Sequence, residues 1–269
     1  MNSVSPLGSY DIVGDIAIIR VHGERVENSG EVGSAIMDVH RNVRTVLAQT
    51  DAVEGEFRLR KLVLVAGENR TETVYRESGC VFRVDVASCY FSPRLSHERM
   101  RIAGLVVDGE VVANMFAGVG SFSIVIAKHS GVEKVFSVDL NPAAFRFMRE
   151  NVRTNGFFGR IVPILGDAKM VIEERLRGVA DRVLMPLPEK ALEYLSYALL
   201  ALKESGGWVH FYDFVHAVKD EDPVEKVRAR VVERLDGLDA RVEAGAGRVV
   251  RSTGPNWYQV VLDIKTRFR

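Results

Sequence analysis

Gly118 and Gly120 stand two residues apart, directly after the apolar run Val111-Val112-Ala113-Asn114-Met115-Phe116-Ala117. Residues without a Cβ at that spacing let a turn pass close to a ligand where a side chain would collide. A second signal follows. Val135-Phe136-Ser137-Val138 ends in a carboxylate, Asp139, and then Leu140 and Asn141-Pro142, a capping residue before a proline. An acid at the end of one strand, after a glycine turn at the end of the previous one, suits the hydroxyls of a ribose. Gly166-Asp167-Ala168 closes a third apolar run. There a carboxylate can meet the amino group of adenine and a backbone amide a ring nitrogen; Asp167 can equally cap a helix, and both can hold. The turn Phe116-Ala117-Gly118-Val119-Gly120 has Ser123 where a third glycine would complete the dinucleotide pattern. A pyrophosphate needs that closer packing and free amides. S-adenosyl-L-methionine has a ribose and an adenine but no phosphate, so one tight turn suffices for it. The candidate cofactor-binding residues are therefore Phe116, Gly118, Val119, Gly120, Asp139, Leu140, Asn141, Asp167 and Ala168.

These residues need a scaffold of alternating elements. From Glu110 onward the chain supplies strands over 111–115, 134–138, 161–165, 182–185 and 208–214, with helices starting near Gly120, Pro142, Asp167 and Glu189. Such alternation predicts a parallel sheet with helices on both faces. The end differs: 241–251 and 257–265 are two β-runs joined by Ser252-Thr253-Gly254-Pro255-Asn256, a hairpin at the sheet edge. A terminal antiparallel hairpin marks the class I, Rossmann-like methyltransferase topology. The first part reads as a small α+β unit. It has a β-run over 10–21, a helix over 31–48 from the spacing of Val32, Ala35, Ile36, Val39, Val43, Val46 and Leu47, and a strand over 59–66. A hairpin around Ser78-Gly79 and a helix over 95–107 opened by Pro93 complete it. The predicted fold is α/β with two domains, 1–92 and 93–269.

Lys+Arg and Asp+Glu are balanced at 36 each, so charge does not announce a nucleic-acid partner. It does not exclude one either, because a local basic patch is enough, and Arg41, Arg44, Arg58, Arg60, Lys61, Arg70 and Arg94 cluster early. On charge alone a salt-bridged, solvated surface is the favoured account of them. No run reaches the ~18 apolar residues of a membrane span. The first ten residues lack the basic start and apolar core of a signal peptide, so a cytoplasmic protein without membrane association is expected. Cys80 and Cys89 make neither a disulfide framework nor a metal site and read as small buried side chains.

Taken together, Ser9-Tyr10-Asp11-Ile12-Val13-Gly14-Asp15-Ile16-Ala17, Val53-Glu54-Gly55-Glu56-Phe57-Arg58, Tyr90-Phe91-Ser92-Pro93-Arg94-Leu95-Ser96-His97-Glu98-Arg99, the glycine turn and the two acid motifs form an ordered set over nearly the whole chain. That set resembles the archaeal and eukaryotic tRNA (guanine-N1) methyltransferases, which modify the base 3′ of the anticodon. The resemblance implies transfer of a methyl group from S-adenosyl-L-methionine to guanine N1, and no metal. It implies an early unit that helps hold the anticodon stem-loop of tRNA; the family's further N-terminal domain, which touches the tRNA elbow, is expected to be absent, and a monomer is expected. It also assigns roles. Glu98 is the base that takes the N1 proton, and Arg58 is the cation that steadies charge developing on O6. Arg99 meets the cofactor, and Tyr90 frames the pocket. Without the family, Glu98 and Arg99 are helix charges of a solvated surface and Arg58 is a structural strand residue.

Two positions depart from the family pattern. Asn114 stands where aspartate is common, which keeps the shape and loses the charge. Met185-Pro186-Leu187-Pro188 stands where Asn-Leu-Pro or Asn-Pro-Pro is common, and Pro186 has neither a side-chain amide nor a backbone N–H to offer the target base. Pro186 therefore belongs with the site candidates. The alternative it raises is a wyosine-pathway enzyme, which methylates a ring carbon of the tricyclic guanine derivative at the same tRNA position or transfers aminocarboxypropyl to it. A non-catalytic tRNA-binding protein that retains the cofactor fold is the alternative from another class; the retained Arg58 and Glu98 speak against it.

Overall fold

A computed structural model describes residues 10–20, 29–50, 59–236 and 240–268; Arg58 and the motif that leads to it lie outside the described residues. The first sheet has the order β1 (Asp11–Val13), β2 (Ile16–Arg20), β3 (Thr45–Gln49) and β4 (Leu62–Gly67), with α1 (Ser29–Val39) between β2 and β3 in sequence. The β-run that starts at Tyr10 is thus two strands, folded back at Gly14. There φ is +59° and a Cβ would come within 2.2 Å of Thr73 Oγ1.

The helix expected over 31–48 is corrected: α1 ends at Val39, and Thr45–Gln49 is a strand. β3 lies between β2, its parallel neighbour, and β4. A central strand is buried on both faces and apolar along its length, so Val46, Leu47 and Ala48 prolong a helical spacing without belonging to it. Val39, placed by that spacing on the buried stripe, is 74% exposed.

Pro93–Leu95 makes a 3₁₀ turn and leads into α2 (Ser96–Leu105). Then follow β7 (Val111–Asn114), α3 (Ser121–His129), β8 (Lys134–Asp139), α4 (Pro142–Thr154), β9 (Ile161–Leu165) and α5 (Ala168–Val171), which continues as a π-helical turn over Ile172–Leu176. The chain goes on through β10 (Arg182–Met185), α6 (Pro188–Ala201), β11 (Gly207–His216), α7 (Pro223–Leu235), β12 (Ala240–Gly254) and β13 (Trp257–Phe268). The sheet order is β12-β13-β11-β10-β7-β8-β9, parallel from β11 to β9, with β13 antiparallel to both its neighbours. This is the Rossmann-like sheet with a terminal hairpin. Phe122 and Ile126 of α3 and Phe147 of α4 cover one face; Ile172, Leu195 and Leu199, with Val227 and Val231 of α7, cover the other. The chain leaves β7 toward β9 and returns to lay β10 on the other side of β7. Loops at the carboxyl ends of β7 and β10 therefore diverge and leave a crevice.

Between the sheets lies the hairpin β5 (Glu72–Glu77) and β6 (Cys80–Asp85), turned by Ser78 and Gly79 at φ 48° and 68°. Positive φ at both central residues suits the right-handed twist of the strands. Its free edge is bonded by two asparagines one helical turn apart, Asn151 on α4 and Asn155 at the C-cap of that helix. Asn155 accepts from the Val81 amide (2.9 Å) and donates to the Val81 carbonyl (2.7 Å). Asn151 accepts from the Arg83 amide (2.7 Å) and donates to the Arg83 carbonyl (3.0 Å). The helix thus pairs with β6 as a neighbouring strand would. Asn151 also donates to the Val119 carbonyl (3.0 Å), inside the glycine turn.

Candidate functional site

The crevice between β7 and β10 is a cleft of about 780 Å³. Gly118 (φ +56°) and Gly120 (φ +88°) turn the chain from β7 into α3, and at Gly120 a Cβ would lie 3.1 Å from Met148 Cγ. Asp139, the last residue of β8, accepts the Gly118 amide through Oδ2 (2.6 Å) and the Asn141 amide through Oδ1 (2.9 Å). Burial raises the Asp139 carboxyl above its ordinary value, and the two amides pull the other way. Among the described residues no cation bonds it, so its remaining lone pairs are left for hydroxyl donors.

Asn141 is committed elsewhere. Its Oδ1 caps α4 by accepting from the Ala143 amide (2.9 Å), and its Nδ2 donates to the Ser88 carbonyl (2.8 Å). It so fixes the segment that carries Tyr90. Asp167 caps α5 through Oδ1, which accepts from the Lys169 amide (2.9 Å) and the Tyr194 hydroxyl (3.0 Å). Tyr90, Phe116, Gly118, Asp139, Leu140, Asn141, Asp167, Ala168 and Pro186 all border the cleft. Val119 and Gly120 belong to the turn without bordering it. Leu187, Lys190 and Tyr194 border it too and are not among the sequence candidates. Lys190 and Tyr194 are spaced one turn apart on α6 directly after Pro186, a signal the sequence does carry. Tyr194 meets Phe116 edge-on, with 5.2 Å between ring centroids.

Arg99, expected to meet the cofactor, does not border the cleft. It is fully buried; its Nε and Nη2 grip the two carboxylate oxygens of Glu77 on β5, and both terminal nitrogens donate to the Ser92 carbonyl at 3.2 Å. A buried cation needs a buried anion, and Glu77 supplies it. The correction is one of role: Arg99 holds the Tyr90–Pro93 segment in place rather than facing a ligand.

Glu98 is also buried and off the cleft. Its Oε1 accepts from the Tyr212 hydroxyl (2.7 Å) and Arg101 Nη2 (2.7 Å), and its Oε2 from Arg101 Nε (2.9 Å). Arg101 is shared with Asp263 of β13, at 2.5 and 3.1 Å. His210 Nδ1 lies 2.5 Å from Asp263 and its Nε2 lies 2.7 Å from Arg182 Nη1. Arginine only donates, so Nε2 accepts, and the single proton sits on Nδ1 and is given to Asp263. Burial, opposed by Asp263, keeps the His210 pKa below its ordinary value, in agreement with a neutral ring. Burial alone would raise the Asp263 carboxyl; the bonds from His210 and Arg101 outweigh it and hold the group well below the usual carboxylate range. Arg182 closes the chain on Glu110, at 2.7 and 2.9 Å. Every charged member has a partner, the condition under which such a buried chain is tolerated.

Asn114 is fully buried beneath the turn. Its Nδ2 donates to Ser123 Oγ (3.1 Å), which also accepts from Ser137 Oγ (2.7 Å), and its Oδ1 has no partner among the described residues. No group of three or more His, Cys, Asp or Glu among the described residues could hold a metal ion, and no helix among them is long and apolar enough to cross a membrane.

A family model described as the TRM5/TYW2 methyltransferase domain matches residues 73–236, and one described as the TYW2 N-terminal domain matches residues 7–71. The chain is similar to tRNA (guanine(37)-N(1))-methyltransferase Trm5b of Pyrococcus abyssi, at 41% identity over 97% of this chain and 75% of the relative. The crystal structure of that protein superposes with a TM-score of 0.84 at 40% identity, covering 97% of this chain and 76% of its own. The chain is similar at 39% identity to tRNA 4-demethylwyosine(37)-methyltransferase Taw21 of Saccharolobus solfataricus, over 95% of this chain and 92% of the relative. TYW2 of M. jannaschii in complex with AdoMet superposes with a TM-score of 0.71 at 25% identity, covering 97% of this chain and 100% of its own. Family model, relatives and superposed structures match the chain along almost its full length, and the chain belongs to the TRM5/TYW2 methyltransferase family.

Proposed function

We propose that this protein methylates N1 of the guanine 3′ of the anticodon in tRNA, with S-adenosyl-L-methionine as methyl donor. The observation that carries the reading is Asp139, a carboxylate raised by burial, bonded among the described residues only by two amides and bordering a cleft that starts at a glycine turn. A ribose supplies the hydroxyl donors such a group lacks. Asp167 and the Ala168 amide are the groups for adenine, while Phe116, Leu140 and Tyr194 line the cleft with apolar surface that excludes water. When bound, S-adenosyl-L-methionine supplies a sulfonium methyl.

N1 of guanine carries a proton that must leave as the new bond forms. Glu98 is the base in this reading, and Arg58 steadies the charge that moves to O6. Tyr212 and Arg101 hold the Glu98 carboxylate in one orientation. Substrate binding therefore has to open a path to its oxygens. Residues 1–92 contact the anticodon stem-loop and residues 93–269 carry the chemistry, with the β5–β6 hairpin bridging them through α4. The enzyme works as a monomer in the cytoplasm, where its tRNA is.

A second reading has its own observation. Pro186 borders the cleft and offers no amide to guanine, which suits methylation of a tricyclic wyosine precursor. Mass spectrometry of nucleosides separates the two after incubation of unmodified tRNA and of wyosine-precursor tRNA with enzyme and cofactor. N1-methylguanosine in the first supports the main reading. A product only in the second overturns it in favour of the wyosine pathway.

A further inference from the structure

Arg70, Arg99, Arg101, Arg182 and Arg228 are buried or half-buried, and each has a carboxylate partner. Arg251, half-buried on β12, is bonded differently. Its Nε donates to Gln259 Oε1 (2.8 Å), its Nη1 to Ser92 Oγ (3.1 Å) and its Nη2 to the Tyr90 hydroxyl (3.3 Å). All three acceptors are neutral. They orient a guanidinium without neutralising it, and a partly desolvated charge that has no counter-ion among the described residues is costly to keep. The three bonds leave the fork of Arg251 in a fixed position beside the cleft. Tyr90 borders that cleft, and Ser92 is pinned from its other side by Arg99. Arg251 itself does not border the cleft, so an anion it receives lies outside the space for the cofactor.

We infer that Arg251 binds a phosphodiester of the substrate RNA next to the guanine that receives the methyl group. The inference rests on the reading of the protein as a tRNA methyltransferase. A planar guanidinium suits two phosphate oxygens at once, and its bonds to neutral hydroxyls are readily exchanged for charge-assisted ones. Through Tyr90 and Ser92 the same contact would couple arrival of the RNA to the wall of the cleft.

The test uses the full chain, an unmodified tRNA transcript and S-adenosylhomocysteine. Arg251→Gln keeps hydrogen-bond donors without charge; Arg251→Lys keeps the charge without the fork. The Gln variant should bind tRNA about tenfold more weakly at low salt, with the slope of log affinity against log salt reduced by about one. The Lys variant should keep the parent slope, and both should bind S-adenosylhomocysteine within twofold of the parent. A Gln variant with the parent slope overturns the inference, as does one whose main loss is in cofactor affinity. The parent alone supplies a second measurement, a scan of single neutral methylphosphonates across the anticodon loop. Weakened binding at a linkage beside the guanine is expected, and no effect at any linkage overturns the inference. A parent that binds no tRNA overturns the functional reading itself.

Discussion

Asp139 shows how one side chain can be poised for a ligand. Its carboxyl is raised by burial, and in the proposed function ribose hydroxyls donate to the ionised form. Affinity for S-adenosylhomocysteine should therefore fall as pH drops through the raised pKa, and calorimetry should find that dependence flattened in Asp139→Asn. Asp139→Ala should weaken binding about tenfold or more, since a hydrogen bond to a charged group contributes roughly 1.5–3 kcal/mol. Affinity that ignores both pH and the substitution would remove Asp139 from the site. Glu98 should act on rate instead. Glu98→Gln keeps the bonds from Arg101 and Tyr212 to one oxygen but cannot take up a proton. Single-turnover methylation should drop ~10²-fold with tRNA affinity little changed. A rate within threefold of the parent would show that the proton leaves by another route.

The α4 helix joins two pieces of the molecule, and its two asparagines can be told apart. Asn151→Ala strips partners from the Arg83 backbone and from the Val119 carbonyl, which should destabilise the fold by about 2 kcal/mol or more and weaken cofactor binding. Asn155→Ala strips the Val81 backbone and the bond to the Asn151 carbonyl but touches nothing in the glycine turn, so stability should fall while cofactor affinity stays. Denaturant unfolding and calorimetry on both variants decide this, and equal effects on the cofactor would break the link between Asn151 and the turn. No such pairing is legible in the sequence, because Asn151 and Asn155 read there as ordinary polar positions of a helix. What is legible is local. β9 and β10 have their predicted bounds, because apolar runs flanked by turn residues define buried parallel strands. Glycine and proline placement reveals the Ser78-Gly79 hairpin and the start of α4. The overrun of α1 comes from β3, whose burial depends on neighbours distant in sequence. Arg99 misleads for the same reason: its partner Glu77 lies on another element, and a charge in a helix pattern does not say whether it faces a ligand or a buried anion.

Taken whole, the protein is electrically neutral yet reads as an RNA enzyme. Arg41 and Arg44 are exposed in the connection between α1 and β3, have no ion-pair partner among the described residues, and are the positive groups that the RNA reading calls on. tRNA affinity should fall steeply between low and moderate salt, and joint charge reversal of Arg41 and Arg44 should lower it further. A filter-binding titration that is insensitive to salt, or a double variant that binds like the parent, would rule out that role. The order of strands adds a consequence for biosynthesis. β13 follows β12 in the chain but lies between β12 and β11. A nascent chain that has not yet released residues 257–268 from the ribosome has β11 as its sheet edge and nothing for β12 to pair with. It also lacks Asp263, the second carboxylate on Arg101, and Gln259, which orients Arg251. Fold completion and assembly of the groups around Glu98 thus wait for the same late segment, so a ribosome that stalls within it releases an open-sheeted chain with no settled site.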